Sequence, residues 1–496
     1  MTTTTNNGQI WMFRFLLTLT VVLYAVNAAD VSGRAFSPLH ILKNLHREPP
    51  PPARSQFNTK NVETNWFQAR LDNFNSSDTR QWWMRYMANN ENYVPGGPLF
   101  IYIGAEWEIT PGWATGGHAY DMARHHKGYL VYTEHRYYGA SRPTTDVSFE
   151  NLKWLNVDQA LADLAAFIQW FKATTPGLAD SKVILVGGSY AGTMAIWMRQ
   201  KYPHLVTGSW ASSAPLLAKV DFVEYKEVMG YAYKTIGGQD CYDRLEEAFA
   251  EMERLVEIGD VSRMEREMQF CNKVDLNNQL DVWNMFSTFG NTLGGIVQYH
   301  WPGNIESVCD VMTDSRYHDA LAAFTAFIRQ QWGSYCYGHK YVDTLYYYTN
   351  TQWASGDSIW RQWYYQTCVD FGYYQSSGSP NQPFGKSFPV ELYTQMCADA
   401  YDKSLTMQKI EENIQKTNEK YGALDPQVTN VFYTHGSIDP WAAMGITESN
   451  NEFAQAYVIP LHSHCADLYS VSDRDTDEMK YAKQKVWDLV DKWLKE

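Results

Sequence analysis

Ser189 stands where an apolar run, Val183-Ile184-Leu185-Val186, breaks into Gly187-Gly188-Ser189-Tyr190-Ala191-Gly192. A serine held on a sharp strand-to-helix turn needs small neighbours two positions either side, because larger side chains collide there, and the usual spelling is GxSxG. Gly187 and Ala191 meet that need, with Ala in place of the second Gly and Gly192 following at once. The segment 193–201 is rich in helix formers and stops before Pro203, so strand, turn and helix are predicted in the order a nucleophile elbow requires. On this reading the backbone NH of Tyr190 lies at a helix N-terminus, where unpaired amides and the helix dipole favour a developing oxyanion. The competing reading is a glycine-rich strand-to-helix turn whose serine only caps the helix.

A serine hydroxyl is almost fully protonated at neutral pH, so nucleophilic work needs a base, and the base needs a group that fixes its tautomer. Two later loops supply candidates. A strand expected over 428–434 runs into His435-Gly436-Ser437-Ile438-Asp439-Pro440-Trp441, and another over 457–459 runs into His462-Ser463-His464-Cys465-Ala466-Asp467. Catalytic groups gather at the carboxyl ends of parallel strands, and Ser189, Asp439, His464 follow in the chain order of a Ser-Asp-His triad. Singly, Asp439 reads equally well as a turn aspartate before proline, and the histidines as surface loop residues. Together, in order and after the right strands, they converge on acyl transfer. Such a triad needs no metal and no organic cofactor, and no CxxC spacing suggests zinc.

The elements that must hold these groups read as a parallel sheet with covering helices. Buried strands are expected at 99–104 and 129–133 around a helix near 118–126. A helix from 158, with Leu161, Leu164, Ala165, Ile168 and Phe171 on one face, leads into the Ser189 strand, and a further strand is expected at 205–210. The rhythm changes over 219–420, where helical periodicities such as 241–258 dominate among many aromatic residues, and six of the seven cysteines fall between 241 and 397. The chain ends in an amphipathic helix with Ala482, Val486, Leu489, Val490 and Trp493 on one face. The expected organisation is a signal peptide (1–28), a linker or propeptide containing Pro49-Pro50-Pro51-Pro52 (29–58), an α/β core in two parts (59–215 and 425–496), and a helical cap inserted between them (216–424).

The 496 residues, 45% hydrophobic and 15% aromatic, suffice for one large decorated domain. A net charge of −14 without any Lys/Arg run argues against nucleic acid as a partner. The apolar stretch 15–29 follows Arg14 and ends in Val26-Asn27-Ala28, a signal-peptidase pattern, and falls short of the roughly 20 residues that span a bilayer. Export without stable membrane insertion is therefore expected, to a secreted or lysosomal destination. Export predicts oxidised cysteines: three disulfides among Cys241, Cys271, Cys309, Cys336, Cys368 and Cys397, with Cys465 left over and the pairing open. The sequon Asn75-Ser76-Ser77 is a candidate glycosylation site.

The motifs Gly187-Gly188-Ser189-Tyr190-Ala191-Gly192, Glu134-His135-Arg136-Tyr137-Tyr138-Gly139, Tyr365-Gln366-Thr367-Cys368, Gly436-Ser437-Ile438-Asp439-Pro440-Trp441 and Ser463-His464-Cys465-Ala466-Asp467 together resemble the serine carboxypeptidase family of the Pro-X type. The thymus-specific type looks nearest, because its histidine motif also reads His-Cys. The resemblance implies an α/β-hydrolase with an inserted, disulfide-stapled helical cap and a serine-type exopeptidase acting on short peptides at proline or small residues. It carries the triad onto Ser189, Asp439 and His464, leaves His462 without a counterpart, and implies the pairs Cys241–Cys309, Cys271–Cys336 and Cys368–Cys397. Where the family often reads Gly-Asn-Glu-Gly or Gly-Gly-Glu-Gly, this chain has Gly104-Ala105-Glu106-Trp107. Gly104 is the expected second oxyanion donor beside Tyr190, and Glu106, Trp107, Tyr365 and Trp441 are the expected substrate contacts. Cap aromatics including Tyr364, Tyr373 and Tyr374 suit a proline ring. A homodimer is the remaining partner expectation. A lipase or esterase could use the same elbow, but the HGGG-type oxyanion motif is absent; a silent binding homologue would commonly have lost a triad member.

Overall fold

The computed structural model describes residues 35–36, 48–52, 61–353 and 359–496. The expected signal peptide, and all but a few residues of the segment 29–58, lie outside the described residues.

Eight strands form the central sheet: β1 (Val62–Arg70), β2 (Gln81–Asn89), β3 (Leu99–Ile103), β4 (Tyr129–Thr133), β5 (Val183–Gly188), β6 (Gly208–Ser212), β7 (Val431–Gly436) and β8 (Ala454–Ile459). Their spatial order is β8-β7-β6-β5-β3-β4-β2-β1. The pairs from β4 through β8 are parallel, while β2 runs antiparallel to both β4 and β1. β3, β4 and β5 are buried at every residue, as expected of apolar strands covered by helices on both faces. Helices α1 (His118–His125), α2 (Val157–Thr174) and α3 (Tyr190–Lys201) link consecutive strands. The Asn156 side chain caps α2 by accepting from Gln159 N at 3.0 Å.

The chain leaves the sheet after β6 and returns at β7. Between them lie mostly helices, among them α4 (Glu224–Gly237) and α5 (Gln279–Gln298). The three disulfides are Cys241–Cys309, Cys271–Cys336 and Cys368–Cys397, all in this insertion, and Cys465 is a buried free thiol. The last helix, α6 (Asp477–Lys495), buries Ala482, Val486, Leu489, Val490 and Trp493. It crosses so close to β6 that a Cβ at Gly208 would lie 2.3 Å from the Trp493 ring.

The protein is thus an α/β-hydrolase, and most strands fall within a few residues of expectation. β6 starts at Gly208 rather than 205 because Leu205 N and Val206 N still bond back to Tyr202 O in the turn after α3. β7 starts at Val431 because Asn430 takes a left-handed conformation (φ 57°) that interrupts an extended run. The β1–β2 hairpin has no counterpart in the expectations. β1 reads Val-Glu-Thr-Asn-Trp-Phe-Gln-Ala-Arg, and as an edge strand with most of its residues exposed it lacks a continuous apolar run.

One thiol per chain is expected to react with a thiol reagent under denaturing, non-reducing conditions, and none in the folded state, where Cys465 is 2% exposed. A second reactive thiol after denaturation would mean that one of the three bridges is open.

Candidate active site

Ser189 links β5 to α3 with φ 58° and ψ −134°, a strained conformation for a residue with a side chain. It is partly exposed, while Gly188 and Tyr190 on either side are buried. The small residues are required by contact: a Cβ at Gly187 would lie 2.3 Å from Ala191 O, and one at Gly188 would lie 2.9 Å from Cys465 Sγ. Strand, sharp turn and helix therefore present one side chain above the carboxyl edge of the sheet.

Asp439 follows β7 and His464 follows β8. His464 Nδ1 lies 2.9 and 3.0 Å from the two carboxylate oxygens of Asp439, with both side chains buried. Asp439 Oδ1 also accepts from Trp441 N at 3.0 Å, which fixes the carboxylate at the start of a 3₁₀ turn. The alternative histidines are placed otherwise. His462 is partly exposed, with Nδ1 2.8 Å from Pro460 O. His435 is buried without a hydrogen-bond partner on either ring nitrogen among the described residues, and burial pushes its pKa down to about 4. Burial also opposes charge on His464, but the adjacent Asp439 carboxylate outweighs it and holds the imidazole well above the ordinary histidine value.

The two halves meet at the end of β6. Ser189 N donates to Ser212 O at 2.9 Å, and Cys465 N donates to Ser213 Oγ at 2.8 Å. Asp467, buried, accepts from Ser212 Oγ at 2.5 Å and from Thr434 Oγ1, tying the His464 loop to β6 and β7. The insertion holds the same loops from above. His464 N and Ser463 Oγ donate to Gln298 O at 3.2 and 2.9 Å, while Trp441 Nε1 and Tyr225 Oη donate to Gln298 Oε1 at 3.0 and 2.7 Å. Gln298, the last residue of α5, was not legible as a positioning residue, since nothing local distinguishes a glutamine at a helix end.

Below the elbow, the segment Glu134 to Tyr138 forms a buried polar scaffold. Arg136 makes two 2.7 Å bonds to Asp163, and Glu134 accepts from Arg85 at 2.5 Å and Ser141 at 2.8 Å. His135 Nε2 lies 3.1 Å from Tyr190 Oη, which holds the residue after the serine from underneath.

Three expected assignments require correction. The Gly104 amide donates to Thr133 O at 2.9 Å and is not free for an oxyanion; a Cβ there would lie 2.4 Å from the same carbonyl, so the glycine serves packing. Trp107 turns into the core, where Nε1 donates to Tyr132 Oη at 2.8 Å. Tyr365 packs edge-on against Phe149 and Tyr401. Tyr190 does begin α3, where its NH has no preceding helical turn to bond to. Glu106 is buried, its Oε2 without a partner among the described residues, and burial pushes its pKa up to about 7 against the opposing pull of a bond from its own backbone and of the His464 charge.

A cavity of about 90 Å³ lies in the insertion, walled by Trp363, Tyr364, Tyr373, Tyr374 and Trp441 among others. The Trp441 ring centroid is 6.2 Å from that of His464, and Trp363 is 5.9 Å from Tyr190, so its walls reach both loops of the site. Far from it in the chain, His125, His126 and Asp491 bring ligand atoms within 4.8 Å of one another. Lys495 Nζ lies 3.8 Å from Asp491 Oδ2, which weakens that cluster as a cation site.

A strained serine after the central strand, with a buried Asp–His pair after the last two strands, defines the serine-hydrolase class of α/β-hydrolases. Within it, the chain belongs to the Serine carboxypeptidase S28 family, whose model matches residues 69–486. It is 29% identical to the thymus-specific serine protease of Mus musculus over 448 residues, covering 87% of each chain. It is 27% identical to the lysosomal Pro-X carboxypeptidase of Bos taurus over 452 residues, covering 86% of this chain and 88% of the relative. The protein is accordingly a serine-type peptidase, with peptides as substrates. Among the described residues no helix is long and apolar enough to cross a membrane.

Gly436→Ala tests the crossing of the two loops, because a Cβ there would lie 1.9 Å from His462 O. The expected result is a loss of about a hundredfold or more in kcat/KM with an unchanged circular dichroism spectrum, since displacements near 1 Å suffice for that. Wild-type turnover would show that the loops do not depend on each other's position.

Proposed function

We propose that the protein is an exopeptidase that cleaves short peptides at proline or another small residue through an acyl-enzyme on Ser189. The observation that carries the reading is the buried Asp439–His464 pair, docked with the Ser189 elbow on the end of β6. Ser189 Oγ attacks the scissile carbonyl; His464 Nε2 takes its proton and passes it to the leaving amine; Asp439 holds Nδ1–H and balances the imidazolium. The tetrahedral oxyanion lies on the Tyr190 amide and, since Gly104 is committed, on the amide of Ala105 next to it. Water then hydrolyses the ester by the same proton path in reverse.

The insertion 216–424 acts as a cap over the core formed by 59–215 and 425–496, and a covered site admits chain ends rather than folded protein. The aromatic walls Trp363, Tyr373 and Trp441 suit a rigid pyrrolidine ring. A Pro-X carboxypeptidase among the relatives supports the same preference. Three disulfides support passage through an oxidising compartment after removal of 1–28. From that compartment the destination is the cell exterior or a lysosome. Asn75, exposed in the β1–β2 turn, is free to carry a glycan. Exposed Trp66 and Trp83 on the edge hairpin support a homodimer.

Digestion of a diverse peptide library, read by mass spectrometry, is expected to show cuts at chain ends beside proline or small residues; internal cuts without that preference refute the reading. Ser189→Ala should no longer label with a fluorophosphonate. His464→Ala should lose on the order of 10⁴-fold or more in turnover while His462→Ala keeps it, and the opposite pattern reassigns the base. Turnover needs a neutral imidazole, and the His464 pKa is raised above its ordinary 6.5. The acid limb of kcat/KM is therefore expected above that value, with activity falling as pH drops through it. A profile flat down to about pH 5 would remove His464 from the role of base.

A further inference from the structure

One end of the cavity differs from its aromatic walls. Asn284, Ser287, Thr288 and Asn291 face it from α5 at the i, i+3, i+4, i+7 spacing that puts four side chains on one helix face. In a helix that is otherwise largely apolar, this face would be core packing; here it lines free space with amides and hydroxyls. Most are tethered: Asn284 Nδ2 donates to His339 O at 2.9 Å, Thr288 Oγ1 to Asn284 O at 2.8 Å, and Ser287 Oγ lies 3.0 Å from Tyr393 Oη. Asn291 is the exception. Among the described residues its Nδ2 has only a long 3.3 Å contact to Ser287 Oγ, while its Oδ1 accepts from Lys226 Nζ at 3.1 Å.

Lys226, on α4, is fully buried. Tyr225 from its own helix and Phe388 from the facing loop set rings 5.3 and 5.5 Å from its ammonium, and Gly290 and Asn291 close it from α5. Among the described residues no carboxylate lies within ion-pair distance of it, and burial alone pushes its pKa down to about 7. A buried ammonium without a counter-ion is costly, and in folded proteins such charges are paired or coordinate a ligand.

We propose that the polar end of the cavity is a subsite for a substrate carboxylate, which accepts from Asn291 Nδ2 and balances the Lys226 ammonium behind it. The carboxylate comes either from a free peptide C-terminus or from an aspartate or glutamate side chain; both present the same planar acceptor. The inference rests on the peptidase reading for the presence of peptide in the cavity and adds a charged determinant to it. Because the Lys226 charge fades above its depressed pKa, the subsite works best on the acid side of neutrality.

The test measures affinity by calorimetry on full-length Ser189→Ala protein, so that peptides survive. Proline-containing tripeptides are compared as twins: free acid against C-terminal amide, and glutamate against glutamine. At about pH 6 one carboxylate form is expected to bind about tenfold more tightly than its neutral twin, the size of a charge-assisted hydrogen bond. The gap should shrink at least threefold by about pH 8.5 and close in Lys226→Met. The twin that shows the gap names the source of the carboxylate. Equal binding within both pairs, or a gap that Lys226→Met leaves intact, overturns the proposal. Should that variant not fold, a gap in Ser189→Ala protein that ignores pH, or that survives Asn291→Leu, overturns it equally. Cleavage of these peptides by the wild type is read separately: cleavage without a gap sinks the subsite alone, whereas neither binding nor cleavage sinks the peptidase reading with it.

Discussion

The end of β6 is the point on which the site depends. Ser212 and Ser213 together receive the elbow through Ser189 N and the histidine loop through Cys465 N, and Ser212 also bonds to Asp467. A catalytic constellation must be held to a fraction of an ångström, and loops alone do not provide that. Here the loops are short extensions of β5, β7 and β8: those after β5 and β8 are bonded to the end of β6, and the one after β7 is bonded to the β8 side through Ser437 N to Ile459 O and Ile438 N to His462 O. The precision of the site is thereby inherited from the register of the sheet.

The scaffold beneath it is unusually polar for a core. Arg136–Asp163 and Arg85–Glu134 are ion pairs with at least one side chain fully buried. Such pairs offset rather than exceed their desolvation costs, so their value lies in the single geometry they permit. That geometry fixes the segment after β4, and through His135 and Tyr190 it fixes the start of α3. A strained serine needs surroundings that over-determine its backbone, and this network supplies them from the buried side.

Much of this was legible in the chain because its physics is local. The apolar runs of β3, β4 and β5, the small residues around Ser189 and the positions of Asp439 and His464 follow from sterics and chain order. The cysteine pairing was implied by resemblance and is the pairing found. What failed depended on contacts distant in sequence. Gly104 looks like an oxyanion donor until Thr133 takes its amide, and Trp107 and Tyr365 look like substrate contacts until Tyr132, Phe149 and Tyr401 claim them. The β1–β2 hairpin escaped notice because an edge strand with its polar residues in solvent carries little periodic signal. Nothing in the sequence around Lys226 marks it, and only tertiary packing shows it buried.

Gln298 belongs to the insertion, yet its carbonyl and carboxamide hold the backbone of His464 and the ring of Trp441, two residues after Asp439. The loops that carry His464 and Asp439 are therefore held by a helix that packs against the one bearing Cys309, itself bridged to Cys241. The placement of two loops of the core thus depends on how the insertion docks.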